Sequence, residues 1–164
     1  MHPWACSVAF IATSSDEALK LSDNYTEITY NHPEGMSAAM PVVESIYLAR
    51  QGLPVKDIRQ AISKNYELDF TIASIRQKYQ RTERALHSVP QAIVAALETT
   101  SFEDAIRLAV SLGGDTDTQA AIAGGVAEAR FGVPDDIKDA ALSYLDGNML
   151  KIVEDFYQHH KNDS

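Results

Sequence analysis

Apolar residues recur along most of this chain at helical spacing. Phe102, Ala105, Ile106, Ala109 and Val110 fall at i, i+3, i+4, i+7 and i+8, one face of a helix that runs into Gly113. Met36, Met40, Val43 and Tyr47 trace another face, on a helix ending near Gly52, with the methionines read as core filler. Pro54 opens a helix carrying Val55, Ile58 and Ile62, and Pro90 suits a first helical position, where its missing N–H costs nothing. Pro134 begins a helix with Ile137, Ala140, Ala141, Tyr144 and Leu145 on one face, broken at Gly147. A last amphipathic helix carries Leu150, Val153, Phe156 and Tyr157 and leads into a polar tail, His159 to Ser164, expected to fray. Near the other end, Ser14-Ser15-Asp16-Glu17 has capping-box spacing and starts a helix. Periodicity does not separate strand from buried helix in the apolar run Trp4–Ala12. Residues 67–86 read as a solvated connecting face, with Arg76, Lys78, Arg81 and Arg84 beside Tyr66 and Tyr79. The pattern predicts an all-α chain.

One stretch carries chemistry. Around Gly113 and Gly114 a glycine turn meets a helix of small residues, and Asp115, Asp117 and Thr118 gather oxygen atoms there. Two carboxylates and a hydroxyl suit a hard divalent cation, whose ligands are oxygens at roughly 2.0–2.6 Å. With no His or Cys in the cluster, Mg²⁺ or Mn²⁺ is preferred over zinc or copper. The same residue types also cap helices, because their side-chain oxygens accept N–H groups of the first turn. Gly113 and Gly114 would equally end the preceding helix in a left-handed conformation. Both accounts stand on spacing alone, although a cap needs one such side chain and here there are three. The following helix carries Ala120, Ala121, Ala123, Gly124, Gly125, Ala127 and Ala129. So little bulk predicts a buried central helix that other backbone approaches closely, with a site at its N-terminus.

These residues resemble the C-terminal metal motif of the ADP-ribosylglycohydrolase family. Three further stretches agree in order: Thr29-Tyr30-Asn31-His32-Pro33-Glu34-Gly35, Ser88-Val89-Pro90-Gln91-Ala92 and Phe102-Glu103-Asp104-Ala105-Ile106. The resemblance covers the chain from about Val8 onward. It implies an all-α, multi-helix orthogonal bundle with a binuclear Mg²⁺ or Mn²⁺ centre at the bottom of an ADP-ribose cleft. Asp115, Asp117 and Thr118 would supply half of the metal ligands, and ADP-ribose or an ADP-ribosylated protein or small molecule would be the partner. Gly113, Gly114 and His32 are the candidates for substrate contact. The first histidine of the family's segment is replaced by Tyr30.

The departures shape the functional expectation. The family's Gly-Asp-x-x-Gly and Thr-Asp-Asp-type motifs, which complete the metal shell, do not occur here. Asp16-Glu17, Glu103-Asp104 and Asp135-Asp136 read instead as helix-start acids favoured by the macrodipole. Residues 1–164 are therefore expected to form a single domain equal to the C-terminal half of the family's fold. No general base is assignable in it, and hydrolysis of ADP-ribosyl conjugates would be impaired unless a complementing N-terminal half is supplied. The alternative is a degenerate, non-catalytic structural or binding homologue. Apolar faces left uncovered by a missing half predict self-association.

Bulk properties narrow the rest. The 164 residues, 45% hydrophobic and 23% charged, have the composition of an ordinary globular protein. A net charge of −9 leaves no basic footprint for nucleic acid. The run Trp4–Ala12 is too short for a membrane span of about 20 residues and lacks a basic flank for secretion. The lone Cys6 suits a reducing cytoplasm and sits in apolar sequence, as an inert packing residue does.

Overall fold

A computed structural model describes residues 4–29, 33–79 and 85–162. Among them lie ten helices and no strand. The chain divides into two compact units, Met1–Gly132 and Val133–Ser164. His32, Tyr30, Asn31, Arg81 and Arg84 lie outside the described residues.

The first unit holds α1 (Trp4–Ile11), α2 (Ser15–Thr29), α3 (Pro33–Arg50), α4 (Val55–Ile62), α5 (Ile72–Ile75), α6 (Ala85–Glu98), α7 (Phe102–Val110) and α8 (Thr116–Phe131). Helices α3, α6 and α8 pack on one another pairwise and make the centre. Helix α1 lies against α2, α3 and α8, and α7 lies against α6 and α8. The ambiguous run at Trp4 is thus a helix, with Ala5, Val8 and Ala9 buried at helical spacing. No helix among the described residues is long and apolar enough to cross a membrane.

Local sequence explains several of the boundaries. Ser14 Oγ accepts the Glu17 N–H at 3.2 Å, and the Glu17 carboxylate accepts the Thr13 N–H at 2.8 Å. The expected capping box therefore forms with its return bond one residue earlier. The Ser101 side chain accepts the Asp104 N–H and starts α7. Gly52, at φ 73°, follows α3 in the left-handed region.

Three helix readings are corrected. Pro90 lies inside α6, which begins at Ala85. One missing N–H is tolerated there because tertiary burial holds the helix: Val89 and Ala92 to Ala96 are all inaccessible to solvent. On α3 the buried face is Ala38, Ala39, Val42, Val43, Ile46 and Ala49, with Met40 and Tyr47 only half-buried. A helix between two neighbours buries a wide face, and small residues reach the closest approach. On α7, Phe102, Ala105 and Ala109 are buried, while Val110 is exposed.

The second unit holds α9 (Asp135–Leu142) and α10 (Gly147–Asn162). No residue of α9 is buried, and Tyr144 is 89% exposed, so the apolar face expected there is not a core face. Gly147 opens α10 rather than ending α9, because the Asp146 carboxylate accepts the N–H groups of Asn148 and Met149, both at 2.9 Å. The stripe Leu150, Val153, Phe156 and Tyr157 is the more sheltered side of α10, as its spacing predicted. The helix continues to Asn162, past the point where fraying was expected.

Candidate functional site

The small-residue helix is buried and central, as its composition implied. Ile122, Ala123, Gly124, Gly125, Val126 and Ala127 of α8 are all buried. A β-carbon at Gly125 would lie 2.9 Å from Cys6 Sγ and 3.0 Å from Ile46 Cδ1, so glycine is what lets α1 and α3 close on α8. Burial, then the charge of Glu128, pushes the Cys6 thiol up to about 12. Its S–H donates to the Ala121 carbonyl at 3.7 Å, and it is a packing group rather than a nucleophile.

The N-terminus of α8 presents the candidate site residues. Gly113 and Gly114 have φ of 76° and 88°, which turn the chain sharply between α7 and α8. Asp115 occupies the N-cap position at φ −76° and ψ 69°, yet its side chain makes no capping bond. The capping account therefore fails for Asp115. Its carboxyl instead lies within hydrogen-bonding reach of Asp117, and that contact is the first cause holding Asp117 below the usual carboxylate range. The N–H groups of Thr118 and Asp117 itself add to the effect. Asp117 is exposed, Asp115 and Thr118 are half-buried, and all three line the first turn of α8.

Two adjacent carboxylates repel unless a proton or a cation lies between them. The positive end of a helix contributes only about half an elementary charge, less than a single carboxylate carries. The turn is therefore net negative, and its donors are all oxygen, a set that fits Mg²⁺ or Mn²⁺. Among the described residues, no group of three or more His, Cys, Asp or Glu side chains gathers as an ion-holding cluster. Two carboxylates and a hydroxyl are the donors this turn offers, and an ion held there would need water for the rest of its shell.

Three side chains hold this turn, and only the structure finds them as a group. Gln119 is fully buried, and its Nε2 donates to Tyr79 Oη at 2.9 Å and to the Gly113 carbonyl at 3.3 Å. Arg76 donates from Nη1 to the Ser111 carbonyl at 2.9 Å and from Nη2 to Ser111 Oγ at 2.8 Å. Burial raises the Tyr79 phenol and the Asp115 charge adds to this, while the Gln119 bond opposes it, so the phenol is neutral at pH 7. Arg76 and Tyr79 are thus tied to the glycine turn instead of forming only a solvated face. The one available signal was a polar Gln119 directly before the small, apolar run at residues 120–127.

An all-α unit with an acidic turn at the head of a buried glycine-bearing helix matches one family along its length. The ADP-ribosylglycohydrolase family matches residues 1–164, the whole chain, and the chain belongs to that family. Comparison with curated proteins returns no match.

Proposed function

We propose that this chain acts in hydrolysis of the glycosidic bond of ADP-ribosyl conjugates, with Asp115, Asp117 and Thr118 as oxygen donors to Mg²⁺ or Mn²⁺. The observation that carries the metal reading is Asp115: an N-cap aspartate that caps nothing and faces a second carboxyl. When bound, such an ion supplies Lewis acidity and a template for ribose hydroxyls and water. The chain's own contribution is positional. The left-handed Gly113-Gly114 turn sets Asp115 against Asp117, and α8, buried along its middle, gives the pair a rigid base. A diphosphate ligand is repelled by a net charge of −9, so neutralisation at this turn also serves binding. Gly113 and Gly114 present backbone without side-chain bulk, which lets a substrate approach closely.

Calorimetric titration of the full chain with Mn²⁺ tests the reading. Heat is expected with the natural sequence and none with Asp117→Asn, alongside slow, chelator-sensitive release of ADP-ribose from ADP-ribosyl-arginine. No heat with the natural sequence would overturn the metal assignment. A second reading, a non-catalytic member of the family, is favoured by the lack of a third clustered ligand side chain among the described residues. It predicts ADP-ribose binding that neither Mn²⁺ nor Asp117→Asn alters, with no turnover.

A further inference from the structure

Gln119 is a buried amide that uses its donor side and leaves its acceptor unmet. Its Oε1 is enclosed without a hydrogen-bond partner. An enclosed acceptor without a donor is unfavourable, and an apolar residue of similar size would remove it while giving up the two bonds from Nε2. What the side chain does gain is geometric. Through Nε2 it reaches back from α8 to the Gly113 carbonyl, on the far side of Asp115, while its own N–H donates to the Asp115 carbonyl at 3.0 Å. Asp115 is thereby bracketed by two bonds from one residue. Tyr79 Oη accepts from the same Nε2 and so anchors the amide, and Arg76 holds Ser111 at the start of the same turn. Two consecutive glycines at positive φ have wide conformational freedom, and Asp115 has no capping bond to restrain it. Beyond the backbone bonds of Gly113 and Thr116, the side-chain restraint on the turn's Gly113 carbonyl comes from Gln119.

We infer that Gln119, anchored by Tyr79, is a positioning residue that fixes the Gly113-Gly114 turn and so sets the separation of Asp115 and Asp117 for a divalent cation. The inference rests on the proposed metal reading of that aspartate pair. Its distinctive consequence is that metal affinity falls without a matching fall in fold stability, since the bonds lost and the acceptor relieved offset one another. Gln119→Leu removes both side-chain bonds and the orphaned acceptor. Mn²⁺ affinity, read by calorimetry on the full chain, is expected to fall about tenfold, the usual scale for losing a group that orients a ligand. The urea midpoint is expected to stay level or rise. Tyr79→Phe keeps the Gly113 bond and is expected to produce a smaller loss in the same direction.

A readout without metal separates failure of the inference from failure of the reading beneath it. Amide hydrogen exchange at Gly113 and Thr116, whose N–H groups bond Val110 and Gly114 carbonyls, is expected to quicken at least about tenfold in Gln119→Leu. Exchange in the middle of α8 is expected to remain unchanged. Unaltered exchange in the turn, or Mn²⁺ affinity equal to that of the natural sequence, would overturn the inference. Loss of urea stability in step with affinity would also overturn it, since Gln119 would then be merely structural. Absence of Mn²⁺ binding by the natural sequence would remove the metal reading, and with it the role assigned to Gln119, whatever the exchange shows.

Discussion

Replacing Gly125 with alanine tests whether α8 is small because α1 and α3 need the space. Alanine favours a helix interior over glycine by about 0.5–1 kcal/mol, and that gain applies equally to Gly124 and Gly125. Their surroundings differ. A β-carbon at Gly124 would meet Ile106 Cδ1 at 3.7 Å, an ordinary contact. At Gly125 it would meet Cys6 Sγ at 2.9 Å, Ile46 Cδ1 at 3.0 Å and Cys6 Cβ at 3.2 Å. The Ile46 methyl can turn aside, but the Cys6 β-carbon is fixed to the α1 backbone, so the helices must part. Overpacking of this kind costs about 1–3 kcal/mol. Gly124→Ala is therefore expected to stabilise slightly, and Gly125→Ala to fall about 1–3 kcal/mol below it, with the shared propensity term cancelling. Urea unfolding of both variants at pH 7 measures the difference. Adding Cys6→Ala removes the sulfur and leaves the β-carbon contact, so a double-mutant cycle should recover part of the loss. Equal stability of the two alanine variants, or no recovery without the sulfur, would refute the packing argument.

Three further outcomes follow from named groups. The Cys6 thiol, raised from 9.0 to about 12, keeps its proton in the folded state where the unfolded chain has lost it. Stability should fall as pH climbs through that window, with Cys6→Ala losing part of the slope, and an unchanged slope would contradict the burial of this thiol. A thiol-specific disulfide reagent at pH 8 should accordingly react only as fast as the protein opens. Arg130 donates from Nη1 to the carbonyls of Ala96 and Thr99 at the end of α6, and its guanidinium sits 4.4 Å from the Phe131 ring centroid. Arg130→Met should cost about 1–3 kcal/mol in urea unfolding, and a change within about 0.5 kcal/mol would show the bonds to be dispensable.

Much of the fold was legible because helices announce themselves in local spacing. The α4 face at Ile58 and Ile62, the sheltered stripe of α10 and the buried glycine-bearing α8 all stand where periodicity and composition put them. Readings failed where burial depends on how many neighbours a helix has. On α3 the expected Val43 is buried, but Met40 and Tyr47 yield the core to Ala38, Ala39, Val42, Ile46 and Ala49, because α1, α2, α4, α6 and α8 all press on this helix. The chemistry of Pro90 suits a helix start, but packing carries α6 through it. The acidic turn was legible as an oxygen cluster, and the family resemblance matches the whole-chain family assignment. What holds the turn was not legible. Arg76 lies 35 residues from Ser111 and Tyr79 lies 40 from Gln119, and no local pattern reports such pairings.

By itself the sequence determined the helical class, the family and the oxygen chemistry near Asp115, since each is written in residue types a few positions apart. Only the tertiary structure decided that Asp115 is free of capping, that Gly125 is a contact point rather than a flexible joint, and that a buried amide braces the turn. Those facts depend on which atoms meet across helices, and close packing between distant segments fixes such meetings through the whole fold at once.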